Sequence, residues 1–405
     1  MLNVLGQILI YIVPFLLVLT FIVTIHELGH YWIARLFKVK IERFAIGFGR
    51  ALLSRTDKHG TEWRVGWMPL GGYVKFAGDL DASSVPDQAG LAELRSRVIA
   101  ENGPGAERDY FHFKPVWQRA LITAGGPVAN FVLAITIFAV MFMSFGDVVV
   151  PPRVTKVLPG SAAAAAGFQP NDVILEANGD VVRNGEDVIR VVTLNSATPV
   201  AFVVERNGQQ VSLVATPIRT ATEDGITGRI RVGRIGLEMG YRRDEVRFIR
   251  YNPFEAVGAA VNKTGEVLGT TLSYIGRIFT GRESGDMLNG PLGIAKAAGG
   301  ISQQATAGEA SAGLKASNLA LTLIQFAAIL SIGIGFLNLL PIPILDGGHL
   351  LFYAYEAVAR RPVAAKVQEA GYRVGLALLA CLMLFATWND LQKLNLFKFL
   401  GGLVS

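Results

Sequence analysis

No charged side chain occurs in the first 25 residues, and this run constrains the fold more than any other feature of the chain. At ~1.5 Å per residue, residues 8–25 alone extend roughly 27 Å as a helix, close to the ~30 Å hydrocarbon core of a bilayer. A membrane span is therefore expected, with Pro14 a candidate kink. A cleaved signal peptide would start with basic residues and end in small ones. Here the apolar run leads instead into His26-Glu27.

Three further apolar runs follow, at residues 120–145, 319–340 and 374–388, the last being short. They predict a polytopic α-helical membrane protein with about four transmembrane helices. The whole chain agrees, since 51% of its 405 residues are hydrophobic and 17% charged. Orientation follows from the basic residues. Fourteen Lys and Arg lie between Arg35 and Arg119, and Arg360, Arg361, Lys366 and Arg373 separate the third and fourth runs. Short loops rich in Lys and Arg face the cytoplasm. The termini and residues 148–315 are then outside. The formal charge of +6 is small and scattered, which gives no nucleic-acid footprint. Cys381 is the single cysteine, so neither an intrachain disulfide nor a thiolate metal cluster can form.

Within the outer segment, residues 154–182 read as a strand, a turn, an Ala-rich helix ending at Gly167 and strands about Asn178-Gly179. Asn207-Gly208 marks a further hairpin. The run from Pro159 to Ile174 resembles a PDZ domain, which implies that an extended peptide or a free C-terminus adds to a sheet edge. Phe254, Val257, Val261, Leu268, Leu272, Ile275 and Phe279 then recur at helical spacing, interrupted by Lys263, Glu266 and Arg277. That spacing predicts an amphipathic helix, lying on the membrane or packed on protein. On the cytoplasmic side, residues 62–76 alternate in polarity around Gly71-Gly72 and predict a β-hairpin whose open edge could pair with a substrate. The charged segment 79–109 reads as a loop with a short helix near residues 91–100.

The chemistry is concentrated at the end of the first span. His26 and His30 are four apart, so on a helix both imidazoles project from one face, with Glu27 beside them. This is the HExxH pattern, in which two histidines hold zinc and the glutamate takes a proton from water. Ionisable groups at membrane depth are costly and mark function. Zinc needs a third protein ligand. Asp346, in an apolar surround where the third span exits on the cytoplasmic side, is the strongest candidate, with His349 as its rival.

These motifs resemble those of the site-2 protease family of intramembrane zinc metalloproteases, and within it the bacterial proteases that regulate the sigma-E response. The matching residues are His26-Glu27-Leu28-Gly29-His30, the set Asn338, Pro341, Pro343, Leu345, Asp346 and Gly347, the run Pro69 to Lys75, and the "AGGPVANF" run from Ala124 to Phe131. The resemblance implies that His26, His30 and Asp346 bind zinc and that Glu27 is the catalytic base. It implies that Asn338, Pro341 and Pro343 help to hold substrate, and that Gly71, Gly72 and Tyr73 belong to a membrane-reentrant β-loop that does the same. The expected reaction is cleavage of single-pass membrane proteins, such as anti-sigma factors and signal-peptide remnants, in the bacterial inner membrane. One departure is that the best-known members carry two PDZ domains in tandem, whereas this chain has sequence for one.

The expected organisation is a first span with HExxH (1–37), a cytoplasmic and reentrant region (38–117), a second span (118–146), a PDZ domain (148–240), an amphipathic linker (250–315), a third span (316–348), a cytoplasmic segment (349–370), and a fourth span with a tail (371–405). Two other functions fit the same features: a membrane-anchored PDZ scaffold with a vestigial metal site, or a metal transporter. Intact Glu27 disfavours the scaffold. The transporter would need internal repeats and a path on both sides, which the sequence lacks.

Overall fold

A computed structural model of the chain describes residues 2–78, 88–224, 228–283 and 285–393. The expected tail beyond residue 393, and part of the expected loop at 79–109, lie outside the described residues. The chain divides into two compact units, one of residues 1–137 and 294–385 and the other of residues 138–293 and 386–405.

The first unit is built on long apolar helices: α1 (Leu2–Leu36), the first part of α3 (Val116–Phe145), α8 (Ala312–Asn338) and most of α10 (Ala365–Lys393). All four are long and apolar enough to cross a membrane. The fourth had looked short in the sequence but runs for 29 residues. Helix α1 continues through Pro14. Between these helices lie β1 (Ile41–Thr56), β2 (Glu62–Phe76), α2 (Gln88–Asn102), the greater part of α7 (Pro291–Thr306), and α9 (Asp346–Ala359).

Small residues set the helix spacing. A Cβ on Gly29 of α1 would lie 2.7 Å from the Ala129 methyl and would collide with the Gly125 carbonyl. Glycine at both positions is what allows α1 and α3 to come so close. Against α8, α1 buries Val18 and Ile22 on Ala327. Its C-terminal end packs Tyr31 and Ala34 with Phe44, Ile41 and Val39 of the β-segment and with Ile122 of α3.

The β-segment corrects the predicted hairpin. The two ends of β2 (residues 62–76) do not pair with each other: residues 72–76 run antiparallel to 41–46, and residues 62–66 run antiparallel to 51–56 across a reversal at residues 57–61. There the Asp57 carboxylate accepts from the backbone of His59 at 2.8 Å and Thr61 at 3.0 Å, and Gly60 takes φ 83°. Such an Asx turn closes a hairpin locally. The chain reverses again between residues 66 and 72, where Gly71 takes φ 134° beside the Phe48 ring, so residues 62–65 and 72–76 run in opposite directions on the two sides of residues 43–46. Arg43, Phe44, Ala45 and Ile46 each have partners on both sides, Phe44 pairing with Val74 and with Trp63. Residues 72–76 therefore lie at an edge, and among the described residues no further strand pairs there.

The second unit contains a six-stranded sheet in the order β11, β4, β5, β7, β8, with β6 paired to β5. Its strands are β4 (Arg153–Val157), β5 (Val173–Ala177), β6 (Asp180–Val181), β7 (Val200–Arg206), β8 (Gln209–Ala215) and β11 (Leu237–Gly240). Helices α4 (Ala162–Ala166) and α5 (Gly185–Leu194) pack on it over a core that includes Phe202, Val204, Ile174 and Val188. A ribbon of β9 (Ile218–Asp224) with β10 (Gly228–Arg234) follows, and β3 (Asp147–Val149) pairs with β12 (Arg247–Ile249). Asn178-Gly179 and Asn207-Gly208 each place two successive residues at positive φ, the geometry of the tightest hairpin turns.

The predicted amphipathic linker is two helices. Helix α6 (Pro253–Phe279) starts from an Asn252–Glu255 capping box and buries Ala256, Ala260, Thr264 and Tyr274. Its large apolar residues face the other way, with Phe254 90% and Phe279 87% exposed. A helix of a water-soluble protein buries that face instead.

Candidate metal centre

His26 and His30 lie one turn apart on α1 with their rings edge to face, centroids 4.8 Å apart and Nε2 atoms 3.2 Å apart. The His30 Nδ1–H donates to the Ile122 carbonyl of α3 at 2.9 Å. A carbonyl can only accept, so the Nε2 of neutral His30 carries a lone pair. Opposite, Gly126 leaves room for both rings, since a Cβ there would lie 2.7 Å from His26 Nε2 and against His30 Nε2.

Asp346 arrives from a segment more than 300 residues away. Helix α8 ends at Asn338, residues 339–345 turn, and α9 begins at Asp346 with Leu345 as its N-cap. The side chain of Asp346 makes no cap. Its Oδ2 lies 3.2 Å from His26 Nε2 and 3.6 Å from His30 Nε2, buried and without a hydrogen-bond partner. Gly347 and Gly348 make this placement possible, because a Cβ on either would collide with the carbonyls of Leu339, Leu340 or Ile342. An ion pair between Arg119 of α3 and Glu356 of α9, at 2.7 Å, braces the helix, with the guanidinium 4.9 Å from the centre of the Tyr353 ring.

His26, His30 and Asp346 thus bring three ligating atoms together that could hold one metal ion. Atoms about 2.0–2.2 Å from a tetrahedral centre lie roughly 3.3–3.6 Å apart. The separations here are 3.2, 3.2 and 3.6 Å. Two imidazoles and a carboxylate are a donor set that suits zinc. A buried carboxylate oxygen with no donor, facing a nitrogen lone pair, is otherwise uncompensated.

Glu27 points to the β-segment. One of its oxygens, Oε2, accepts from the Val74 backbone N–H at 3.1 Å. Gly72 lies beside it in close packing with β1, since a Cβ there would collide with the Ala45 carbonyl oxygen at 2.6 Å while meeting Glu27 Cγ at an ordinary 3.5 Å. The Tyr73 ring instead stacks on Phe48, with centroids 6.0 Å apart, and its hydroxyl accepts from Arg43 at 3.4 Å. Pro341 is exposed. Pro343 is half-buried against α10, where a Cβ on Gly371 or Gly375 would come 3.3 Å from its ring. His349 does not join the three converging groups, and the Tyr372 hydroxyl lies 3.3 Å from its ring nitrogens.

Two partners of the histidines were not singled out from the sequence. Ile122 contributes only its carbonyl, which no sequence pattern announces. Asn130, within the "AGGPVANF" run, is fully buried with Nδ2 3.2 Å from His26 Nδ1.

A histidine pair on an apolar helix of membrane-spanning length, met by a carboxylate in position for one ion, is the site of a membrane-embedded metalloenzyme. The sequence profile of peptidase family M50 matches residues 14–382. Metalloprotease MmpA of Caulobacter vibrioides is 48% identical over 401 residues, covering 98% of each chain. Two proteins provisionally named zinc metalloproteases are also similar. One, from Agrobacterium fabrum, is 43% identical over 95% of this chain and 96% of its own length. The other, from Mesorhizobium japonicum, is 42% identical over 94% and 98%. The chain belongs to peptidase family M50, the site-2 protease family, and is a zinc metalloendopeptidase acting in the lipid bilayer.

Proposed function

We propose that this enzyme hydrolyses peptide bonds of single-pass membrane proteins near the cytoplasmic face of the bacterial inner membrane, with His26, His30 and Asp346 holding the zinc and Glu27 as general base. The observation that carries this reading is the position of Glu27, which stands in the HExxH turn and accepts a hydrogen bond from Val74 on the edge of β2. Base and substrate platform are thereby joined.

A transmembrane helix hides its peptide bonds in its own hydrogen bonds, so it must unwind before attack, and its freed backbone groups need new partners in a medium without water. Residues 72–76 supply that partner as a strand edge. Zinc held by His26, His30 and Asp346 would supply the Lewis acidity that makes a water molecule deprotonate near neutral pH. The Glu27 carboxylate takes the proton from the attacking water and passes it to the leaving amine nitrogen. Asn338 and Pro341 help to hold the substrate, while Pro343 seats the 339–345 turn on α10.

Residues 148–240 act as an extracytoplasmic PDZ domain that binds the C-terminus left on a substrate by an earlier cleavage. Substrates of the anti-sigma-factor type and signal-peptide remnants have this form. Glu27→Gln should keep its zinc and lose cleavage of a single-pass test substrate by roughly 10²–10⁴-fold. Asp346→Ala should lose zinc as well. Equal cleavage by the wild type and Glu27→Gln would remove Glu27 from the mechanism, and undiminished zinc in Asp346→Ala would remove the third ligand.

A further inference from the structure

An imidazole that ligates through Nε2 must carry its proton on Nδ1, and that N–H needs an acceptor. For His30 the acceptor is the Ile122 carbonyl. For His26 the group facing Nδ1 is the side-chain amide of Asn130, at 3.2 Å. An amide can present either its nitrogen or its oxygen within the same volume. With the nitrogen toward Nδ1, the His26 proton is driven onto Nε2, the atom that faces Asp346 Oδ2 and His30 Nε2. With the oxygen there, Nδ1–H donates and the Nε2 lone pair faces the two other ligating atoms.

Three observations single out Asn130. It is fully buried, so no water competes for its amide. Its Oδ1 has no hydrogen-bond partner in the orientation that sets nitrogen against nitrogen, which is a costly arrangement for a buried acceptor. The residue is also held in place from α8: the Ser331 hydroxyl donates to its backbone carbonyl at 2.9 Å, and a Cβ on Gly335 would lie 3.1 Å from its own Cβ.

We infer that Asn130 is a positioning residue for the metal centre, its Oδ1 accepting from His26 Nδ1–H and holding the imidazole in the tautomer and orientation that ligate through Nε2. The inference rests on the proposed assignment of His26 as a zinc ligand. Helix α3 then supports both histidines, one through the Ile122 carbonyl and the other through the Asn130 side chain, so its sequence matters to the metal although it supplies no ligand.

The test is zinc affinity of the full-length protein in detergent, measured by competition with a chelator, for the wild type, Asn130→Leu, Asn130→Ala, Asn130→Asp and His26→Ala. Loss of the acceptor in Asn130→Leu and Asn130→Ala should weaken zinc binding about 10–100-fold. Asn130→Asp, which keeps an acceptor facing Nδ1, should bind at least as tightly as the wild type. A purely packing role predicts that Leu and Asp, both close to asparagine in shape, behave alike, so equal affinities for Asn130→Asp and Asn130→Leu overturn the inference. The wild-type affinity in both Asn130→Leu and Asn130→Ala, with zinc lost in His26→Ala, also overturns it while sparing the ligand assignment. Undiminished affinity in His26→Ala overturns both.

Discussion

At the scale of single residues, the site depends as much on absent atoms as on ligands. Gly126 has no role in the chemistry, yet a methyl group there would occupy space taken by both imidazoles. Gly126→Ala should therefore lose zinc and activity together without the helix unfolding. The check is metal content beside far-ultraviolet circular dichroism, and a zinc-loaded, active Gly126→Ala would show that the rings can move aside. The HExxH residues were legible because helical periodicity alone puts positions four apart on one face. Asp346 was legible only as a candidate, weighed against His349, and the resemblance decided between them. The structure places Asp346 Oδ2 beside both histidines and turns the His349 ring to Tyr372. The Ile122 carbonyl could not be foreseen, because every residue has a carbonyl and only packing selects one. Asn130 stood in a quoted motif, and its relation to His26 spans 104 positions.

At the scale of elements, turns with a local chemical cause were readable and long-range pairings were not. Asn207-Gly208 adopts φ of 52° and 79°, as its residue types require for a two-residue hairpin. The reversal expected around Gly71-Gly72 is present, but its two arms do not pair with each other: residues 43–46 lie between them, and a second reversal at the Asp57 turn joins β2 to the end of β1. Register on both sides of Phe44 has no local signature. The sheet of the second unit carries an ion pair on a buried carboxylate: partly exposed Arg206 donates twice to Asp172, each bond 2.7 Å, and Asp172 also accepts from the Gln169 backbone at 2.8 Å. The carboxylate holds the Arg206 guanidinium above its usual pKa. Arg206→Met strands that buried charge and should cost about 3–5 kcal/mol. Hydrogen exchange of the slowest amides in β5 and β7 reads the loss; protection equal to the wild type would mean that Asp172 finds another partner.

At the scale of the whole molecule, orientation across the bilayer is the reading on which the proposed division of labour rests. Ser212 and Lys58 are both exposed, the first in the sheet of residues 148–240 and the second in the turn of the β-segment. In a Cys381→Ala background, Ser212→Cys should react with a membrane-impermeant maleimide in cells whose inner membrane is intact. Lys58→Cys should react only after that membrane is opened. The reverse pattern would invert the topology and place the site near the outer face.

The sequence by itself determined the membrane-spanning helices, the class of metal chemistry and the local turns. These depend on hydropathy, periodicity and residue conformational preference, all of which act over a few turns of chain. Only the tertiary structure decided which backbone atoms orient the histidines, which side chain faces His26 Nδ1 and which strand edge faces Glu27. Those relations arise where glycines let helices approach closely. The forces that select them are packing and hydrogen bonding between segments up to 104 residues apart (Asn130 less His26), which no local pattern records.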